Sequence, residues 1–467
     1  MERKINWKCN LAFIWVAEIC SRAGFSMAIP FIPFYMRDHY LLSDGDVKKN
    51  VMYFSVAGSL ALFLSFPLWG MVGDRMGRRL MLLRAMFCSG ILYASFMFAP
   101  TVGILILLRF VTGFFSGTVS PAQALVVTTT PDEHHGFALG MLSSSVWGGN
   151  VLGLILSGLV VKYGSYNEFW QRVFRFVNFD PNGMAVKLWS YNMAFALTMI
   201  LFLVAGIIVL FLVKENFVPP PKKPKAEKGT GGSSAWAFAG FGCAVYAILG
   251  MFLWMSFANR CDEHYLSLLV EVVSKLKGKD VADLVGMIGA AAAFGTVSAA
   301  VIVGFFSDKV APRRIILPIT FIGSAAMICQ AFSVNWWMLG IARFITFLAI
   351  GGLEPTVLGL LSRESPKEKR GTIFGCVASI RIAGLMLGTF VGWLVTRAAD
   401  FLLRDGTTIL GQAPYNVGIR CIPLVGATAL LFLIPWIFFV ERMVMRRHAQ
   451  IGEGEKKPTN TTGKICE

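Results

Sequence analysis

Twelve mostly apolar stretches run along this chain, each near or above the roughly 20 residues that a helix needs to cross the hydrocarbon core of a bilayer. They lie near 11–36, 51–72, 80–99, 102–127, 137–161 and 192–213, then 237–273, 284–306, 315–333, 337–361, 372–396 and 419–440. Lipid offers a backbone no hydrogen-bond partner, so a spanning segment must be a helix or part of a closed barrel, and no strand-like alternation is present. An all-α integral membrane protein follows. With 55% hydrophobic and 15% charged residues, the chain lies outside the range of soluble domains.

The chain also writes part of itself twice. Gly70-Met-Val-Gly73-Asp74-Arg75-Met-Gly77-Arg78-Arg79 returns, degraded, as Gly304-Phe-Phe-Ser307-Asp308-Lys309-Val-Ala-Pro312-Arg313-Arg314. At the same spacing Arg109-Phe-Val-Thr112 returns as Arg343-Phe-Ile-Thr346, and Gly117 and Pro121 return as Gly351 and Pro355. Pro131, Gly136 and Gly140 meet Pro366, Gly371 and Gly375 one residue further on. A period of half the chain in apolar sequence predicts two pseudo-symmetric six-helix bundles around a central site. The bundles are read as 1–213 and 237–441, joined by a Pro-, Lys-, Gly- and Ser-rich linker at 214–236 and followed by a polar tail at 442–467.

A net charge of +16 raises the question of nucleic acid, and the topology answers it. With both termini cytoplasmic, most Lys and Arg fall in the tails and inner loops, as the positive-inside rule requires, so the charge sets orientation and meets anionic lipid. No nucleic-acid role is expected. The first apolar stretch reads as a span, without a cleavage site. The nine cysteines show no paired spacing, so neither disulfides nor a metal centre is expected. Only Cys261-Asp-Glu-His264 gathers ligand types, and adjacent residues on a helix diverge. Without phosphate loop, nucleophile with base, or metal-ligand spacing, an enzyme or cofactor protein is not expected.

The Gly70 to Arg79 block resembles the loop signature of the major facilitator superfamily, between its helices two and three, and the likeness extends over nearly the whole chain. Physically, an acid at a helix end, a glycine-permitted turn and an arginine cluster supply both halves of a breakable ionic latch. The resemblance implies that Gly70, Gly73, Asp74, Arg75, Gly77 and Arg78, with Asp308 and Arg313 of the second copy, hold the halves together in one access state. Gly140-x8-Gly149-x3-Gly153-Leu-x2-Ser157-Gly158 is similar to the fifth-helix signature of drug:proton antiporters, with Leu154 and Ser157 departing from it. Gly375-x8-Gly384-x3-Gly388-x3-Gly392 is its mirror. Small residues at spacings of four let helix backbones approach closely, and packing is the role expected of both runs.

Ionisable residues inside the membrane are costly and mark function. Arg109 needs an anion, and with Gly113 and Gly117 it resembles the antiporter fourth-helix motif linked to proton coupling. Glu18 in helix one is the acid expected to work with it. Arg22, four residues after Glu18, is a second possible partner, since such pairs neutralise each other on one helix face. Arg22 and Arg381, the latter near mid-membrane in helix eleven, are read as substrate contacts, with Arg381 alternatively the partner of Glu354. Arg260 and Asp262 lie either in the cavity or at its outer mouth. Trp15, Phe25, Trp147 and Trp254 are candidates for the cavity wall, and the aromatic segment 163–191 for a cap over the outer entrance.

The expected protein is a twelve-helix facilitator, a monomer in a bacterial inner membrane, that moves a small organic solute by alternating access with protons as partners. Multidrug efflux leads. Import of an anionic or zwitterionic metabolite is the alternative, raised by three buried arginines, and a transporter-like sensor or membrane enzyme is the reading from another class.

Overall fold

The structure is a computed structural model that describes residues 6–29, 32–163, 185–217, 243–261, 265–275, 279–402 and 414–455. Its helices are α1 (Trp7–Ala28), α2 (Ile32–Tyr40), α3 (Asp44–Met76), α4 (Arg78–Ser95), α5 (Val102–Phe115), α6 (Val119–Thr129), α7 (His135–Tyr163) and α8 (Ala185–Leu212) in the first half. The second half holds α9 (Cys243–Arg260), α10 (Leu266–Ser274), α11 (Lys279–Ser307), α12 (Pro312–Ala331), α13 (Trp336–Glu364), α14 (Arg370–Leu402) and α15 (Pro414–Glu455). Eleven spans are long and apolar enough to cross a bilayer, α5 and α6 together making one, and Cys243–Asn259 is a shorter apolar helix. The expected twelve are thus present, and no strand occurs among the described residues.

Three spans read as continuous are interrupted, and the last helix, α15, runs on to Glu455, into the stretch read as a polar tail. The first span stops at Ala28, because Pro30 and Pro33 follow, and α2 forms separately. The fourth span breaks at Ser116–Thr118, where Gly117 has φ +99°, a conformation that suits glycine. The seventh span is likewise two helices, α9 and α10, with residues 262–264 between them undescribed. Asp262, most of the 163–191 segment and most of the linker therefore lie outside the described residues, as do the side chain of Arg260 and the packing of Gly158.

Each half packs around its own core. Leu11, Met36, Leu82, Phe96, Leu105 and Phe195 belong to the first, Ile248, Phe252, Leu358, Phe374 and Leu433 to the second. Outward-facing Ile91, Phe211, Phe294 and Phe401 stay well exposed, the surface expected of a protein whose solvent is hydrocarbon. Within the halves α1 packs on α7 and α8, and α9 on α14 and α15. Between them α3 packs along α14 and α11 along α7, two seams related by the sequence repeat. The helix ends near Trp7, Gly77, His135, Glu215, Pro312 and Arg370 share one face, called the latch face below.

Candidate functional site: a central cavity and its latch

Between the bundles lies a cavity of about 260 Å³. Its wall takes Arg22 from α1, Glu354 from α13 and Arg381 from α14, with Phe25, Phe66, Trp147 and Phe347 as aromatic surface. Gln123, Ser143, Asn150, Ser256, Asn259 and Thr296 add neutral polar groups. Trp147 and Phe347, from opposite halves, meet edge to face at 6.4 Å. Apolar faces with a few convergent polar groups are what a small organic ligand needs. Of the other candidate aromatics, Trp15 donates to Ser144 Oγ at 3.0 Å and Trp254 packs on Phe432 at 5.0 Å, both away from the wall.

Arg381 and Glu354 form a two-pronged ion pair, Nη1 to Oε1 at 2.6 Å and Nη2 to Oε2 at 3.1 Å. The geometry is the fork that guanidinium and carboxylate favour. Of the two readings open for Arg381, partnership with Glu354 is what the structure holds, and the pair as a unit faces the cavity.

Glu18 and Arg109 lie apart from each other. Glu18 is fully buried behind the wall, where Oε2 accepts from Thr118 Oγ1 at 3.0 Å and faces Ser21 Oγ at 3.4 Å, while Oε1 accepts nothing. Arg109 Nη1 donates to the Tyr93 hydroxyl at 3.2 Å, and the guanidinium lies 5.5 Å from the Phe25 ring and 5.2 Å from that of Phe54. No hydrogen bond or ion pair joins the two. Arg22 is the cation that acts on Glu18, and it leans on the same Phe25 ring at 5.3 Å. In the second half Arg343, the repeat of Arg109, is buried against Gln330 Oε1 at 3.3 Å and packs 5.0 Å over Phe347. Phe25 and Phe347 of the cavity wall are thus each backed by a buried arginine, and the repeat Arg109/Arg343 was the signal for the second.

At the latch face the halves interlock twice. Asp74 accepts from Gly371 N, Thr372 N and Thr372 Oγ1, each at 2.7 Å, capping the start of α14, and holds Arg78 at 3.0 Å. Arg78 itself reaches across to Lys367 O at 2.9 Å. In the mirror contact, Asp308 accepts from Gly136 N at 2.8 Å and Phe137 N at 2.7 Å, capping α7. An acid at a helix N-terminus satisfies free N–H groups and meets the positive end of the dipole. Next to these caps, Arg370 donates to Val127 O at 3.3 Å, and His135 meets Ser362 Oγ at 3.0 Å and Thr130 O at 3.1 Å.

The remaining latch candidates act within their own halves. Arg313 pairs with Glu441 at 3.5 Å, Arg75 is exposed without a recorded partner, and Gly73 packs on Met81. Gly77, at φ +103°, turns the chain into α4. The start of α4 is capped by Glu215, whose oxygens accept from Arg78 N at 3.0 Å and Arg79 N at 2.8 Å, a contact with no signal in the sequence.

The glycine runs divide between two jobs. Gly70 abuts Gly371 O, Gly375 abuts Phe66, and in the mirror seam Gly304 abuts Gly136 O and Gly140 abuts Ala300, so these positions join the halves. Gly149 and Gly153 instead pack on α1 at Ile19 and Ala23, and Gly384, Gly388 and Gly392 pack on the seventh span at Leu253, Phe257 and Cys261. Across the first seam Ser379 Oγ donates to Phe63 O at 2.7 Å. Pro67, inside α3, has no N–H to offer that carbonyl, and the opposite half supplies the donor.

A cavity between two homologous bundles, shut on one face by polar contacts that can change partners, defines a secondary transporter working by alternating access. The chain belongs to the Major Facilitator Superfamily, whose sequence profile it matches over residues 14–274 and 278–465. It is 27% identical over 424 residues to the multidrug resistance protein MdtG of Klebsiella pneumoniae (strain 342), covering 89% of this chain and 95% of that protein. To the multidrug resistance efflux pump PmrA homolog of Lactococcus lactis subsp. lactis it is 26% identical, covering 84% and 89%. Among solved structures, the human organic anion transporter MFSD10 (TETRAN) superposes with a TM-score of 0.69 at 12% identity, over 92% of this chain and 99% of that one. A variant of the Escherichia coli fucose:proton symporter FucP gives 0.67 at 12% identity, over 94% and 99%. At that identity the likeness speaks for the fold alone.

Proposed function

We propose that this transporter exports small amphipathic organic molecules in exchange for protons, with its latch face in the cytoplasm of a bacterial inner membrane. The relatives named for multidrug resistance support efflux. The observation that carries the coupling is Glu18, a wholly buried acid one helical turn from Arg22, which lines the cavity. Protonation of Glu18 removes a negative charge one helical turn from Arg22 at the wall, so proton and solute binding are linked through a shared counter-charge. Drugs enter from the latch face when the two acid caps let go, and leave when those caps re-form. Glu18, Arg22, Glu354 and Arg381 are the residues assigned to this cycle, with the monomer as its unit.

The deciding experiment uses purified protein in liposomes under an imposed pH gradient, with ethidium as the transported probe. Uphill ethidium movement, lost in Glu18→Gln, is expected. Undiminished uphill movement in Glu18→Gln overturns Glu18 as the coupling site. A second reading, transport of organic anions or zwitterions, is favoured by the wall itself, where Arg22 and Arg381 face one carboxylate, Glu354. Thermal stabilisation by organic anions, lost in Arg22→Ala, supports it, since a ligand that binds the folded state raises stability by mass action.

A further inference from the structure

Building on the proton reading above, we propose that Thr118 is a positioning residue, and that the break it occupies in the fourth span carries the protonation state of Glu18 to the seam between α3 and α14. Thr118 Oγ1 donates to Glu18 Oε2 at 3.0 Å and has no other recorded acceptor. Ser21 is the other hydroxyl near that carboxylate, but its one hydrogen is closer to the backbone carbonyl of Glu18, at 3.1 Å against 3.4 Å. Thr118 is therefore the donor that serves the side chain.

The break is specific to this half. Gly117 and Pro121 have counterparts in Gly351 and Pro355, yet α13 runs unbroken through them. Glycine and proline alone therefore do not make the break. What differs is the polar environment: α9, in the place of α1, carries no acid, whereas α1 brings Glu18 against Thr118. A continuous helix would pair Thr118 N–H with Phe114 O, and that carbonyl instead accepts Trp69 Nε1 at 2.7 Å. Glu18 and Trp69 thus hold the break open from both sides.

From the break the contacts continue to the seam. Gly117 packs on the Phe66 ring, so closely that a Cβ there would stand 2.5 Å from Cε1. Phe66 lines the cavity, and its backbone carbonyl abuts Gly375 of α14. When a proton from water adds to Oε1, the oxygen without a hydrogen bond, Oε2 becomes a carbonyl acceptor and the Thr118 bond loses its charge assistance. Re-forming the helix through 116–118 then displaces Phe66 and loosens the seam. The break is the two-state element that a coupling argument requires.

Other charged or titratable groups around Glu18 are Arg22 on its own helix, Arg109 of α5 and Tyr93 of α4, gathered around Phe25. Among the described residues, the buried side chains of α6, of α7 beyond His135 at its latch-face end, and of α8 are uncharged, Gln123, Ser143 and Thr198 among them.

The test places spin labels at Arg75 and Lys367, exposed on the two sides of the latch, and follows their separation against pH in lipid nanodiscs. The latch is expected to open with a defined pH midpoint. Loss of a hydrogen bond to a carboxylate lets the proton stay on to higher pH, so Thr118→Val moves the midpoint up by about one pH unit. Thr118→Ser and Ser21→Ala leave it in place. Should the valine variant fail to fold, Thr118→Ala removes the same hydroxyl without added volume. A Thr118→Val or Thr118→Ala midpoint equal to wild type, with Glu18→Gln unresponsive to pH, overturns the Thr118 link and leaves the proton reading standing. A wild-type latch indifferent to pH, or a Glu18→Gln latch that responds like wild type, overturns both.

Discussion

The ion pair in the cavity wall shows how single residues constrain one another. Glu354 is largely shielded from solvent and has both oxygens on Arg381, so removing either side chain leaves the other poorly solvated. Arg381→Met is expected to cost about 1–3 kcal/mol, read as a lowered thermal midpoint in detergent, and to regain most of it when Glu354→Gln is added. If the pair contributes nothing, the single variant melts like wild type. Ser379 offers a cleaner case, because its hydroxyl serves one carbonyl made vacant by Pro67. Ser379→Ala should weaken the closed seam by about 1 kcal/mol, seen as a several-fold larger population of open latch in a label-distance measurement. An unchanged population would mean that Phe63 O finds another donor.

Among elements, the two acid caps are copies of one device. Asp74 caps α14 from the first half and Asp308 caps α7 from the second, yet the sequence repeat identified only the acids and not what they hold. Helix existence was legible because lipid forces it, and the halves were legible because the chain repeats. The break at Gly117 was hidden, since the apolar stretch 102–127 runs on around Ser116–Thr118. Partners of the buried ions were hidden for a different reason: Thr118 and Tyr93 are neutral, and a charge count finds only charges. Arg313 fell outside the latch because Glu441, on a helix far along the chain, competes for it. Asp74→Ala and Asp308→Ala should each shift the protein toward an open latch face, and the double variant should shift it by more than either. Cysteine accessibility at Thr372 and Phe137 reads this directly, and single variants as closed as wild type would remove the acids from the latch.

For the whole molecule, the two glycine jobs predict two distinct failures. Gly375 and Gly140 sit where α14 meets α3 and α7 meets α11, so a branched side chain there must push the halves apart. Gly388 lies inside one half against Phe257 and Cys261, where the same side chain must push apart two helices of one bundle. Gly375→Val and Gly140→Val are therefore expected to fold, to hold the latch face open, and to bind ligand while losing transport. Gly388→Val is expected to lower the thermal midpoint with no preference for either access state, as overpacking inside a bundle costs about 1–3 kcal/mol. The pseudo-symmetry sharpens the comparison, because the Gly375 and Gly140 variants should trap one and the same conformation despite lying in opposite halves. Label distances across the latch face that diverge between those two variants would show that the seams open independently, and a rigid rocking of one bundle against the other would then fail as the mode of motion.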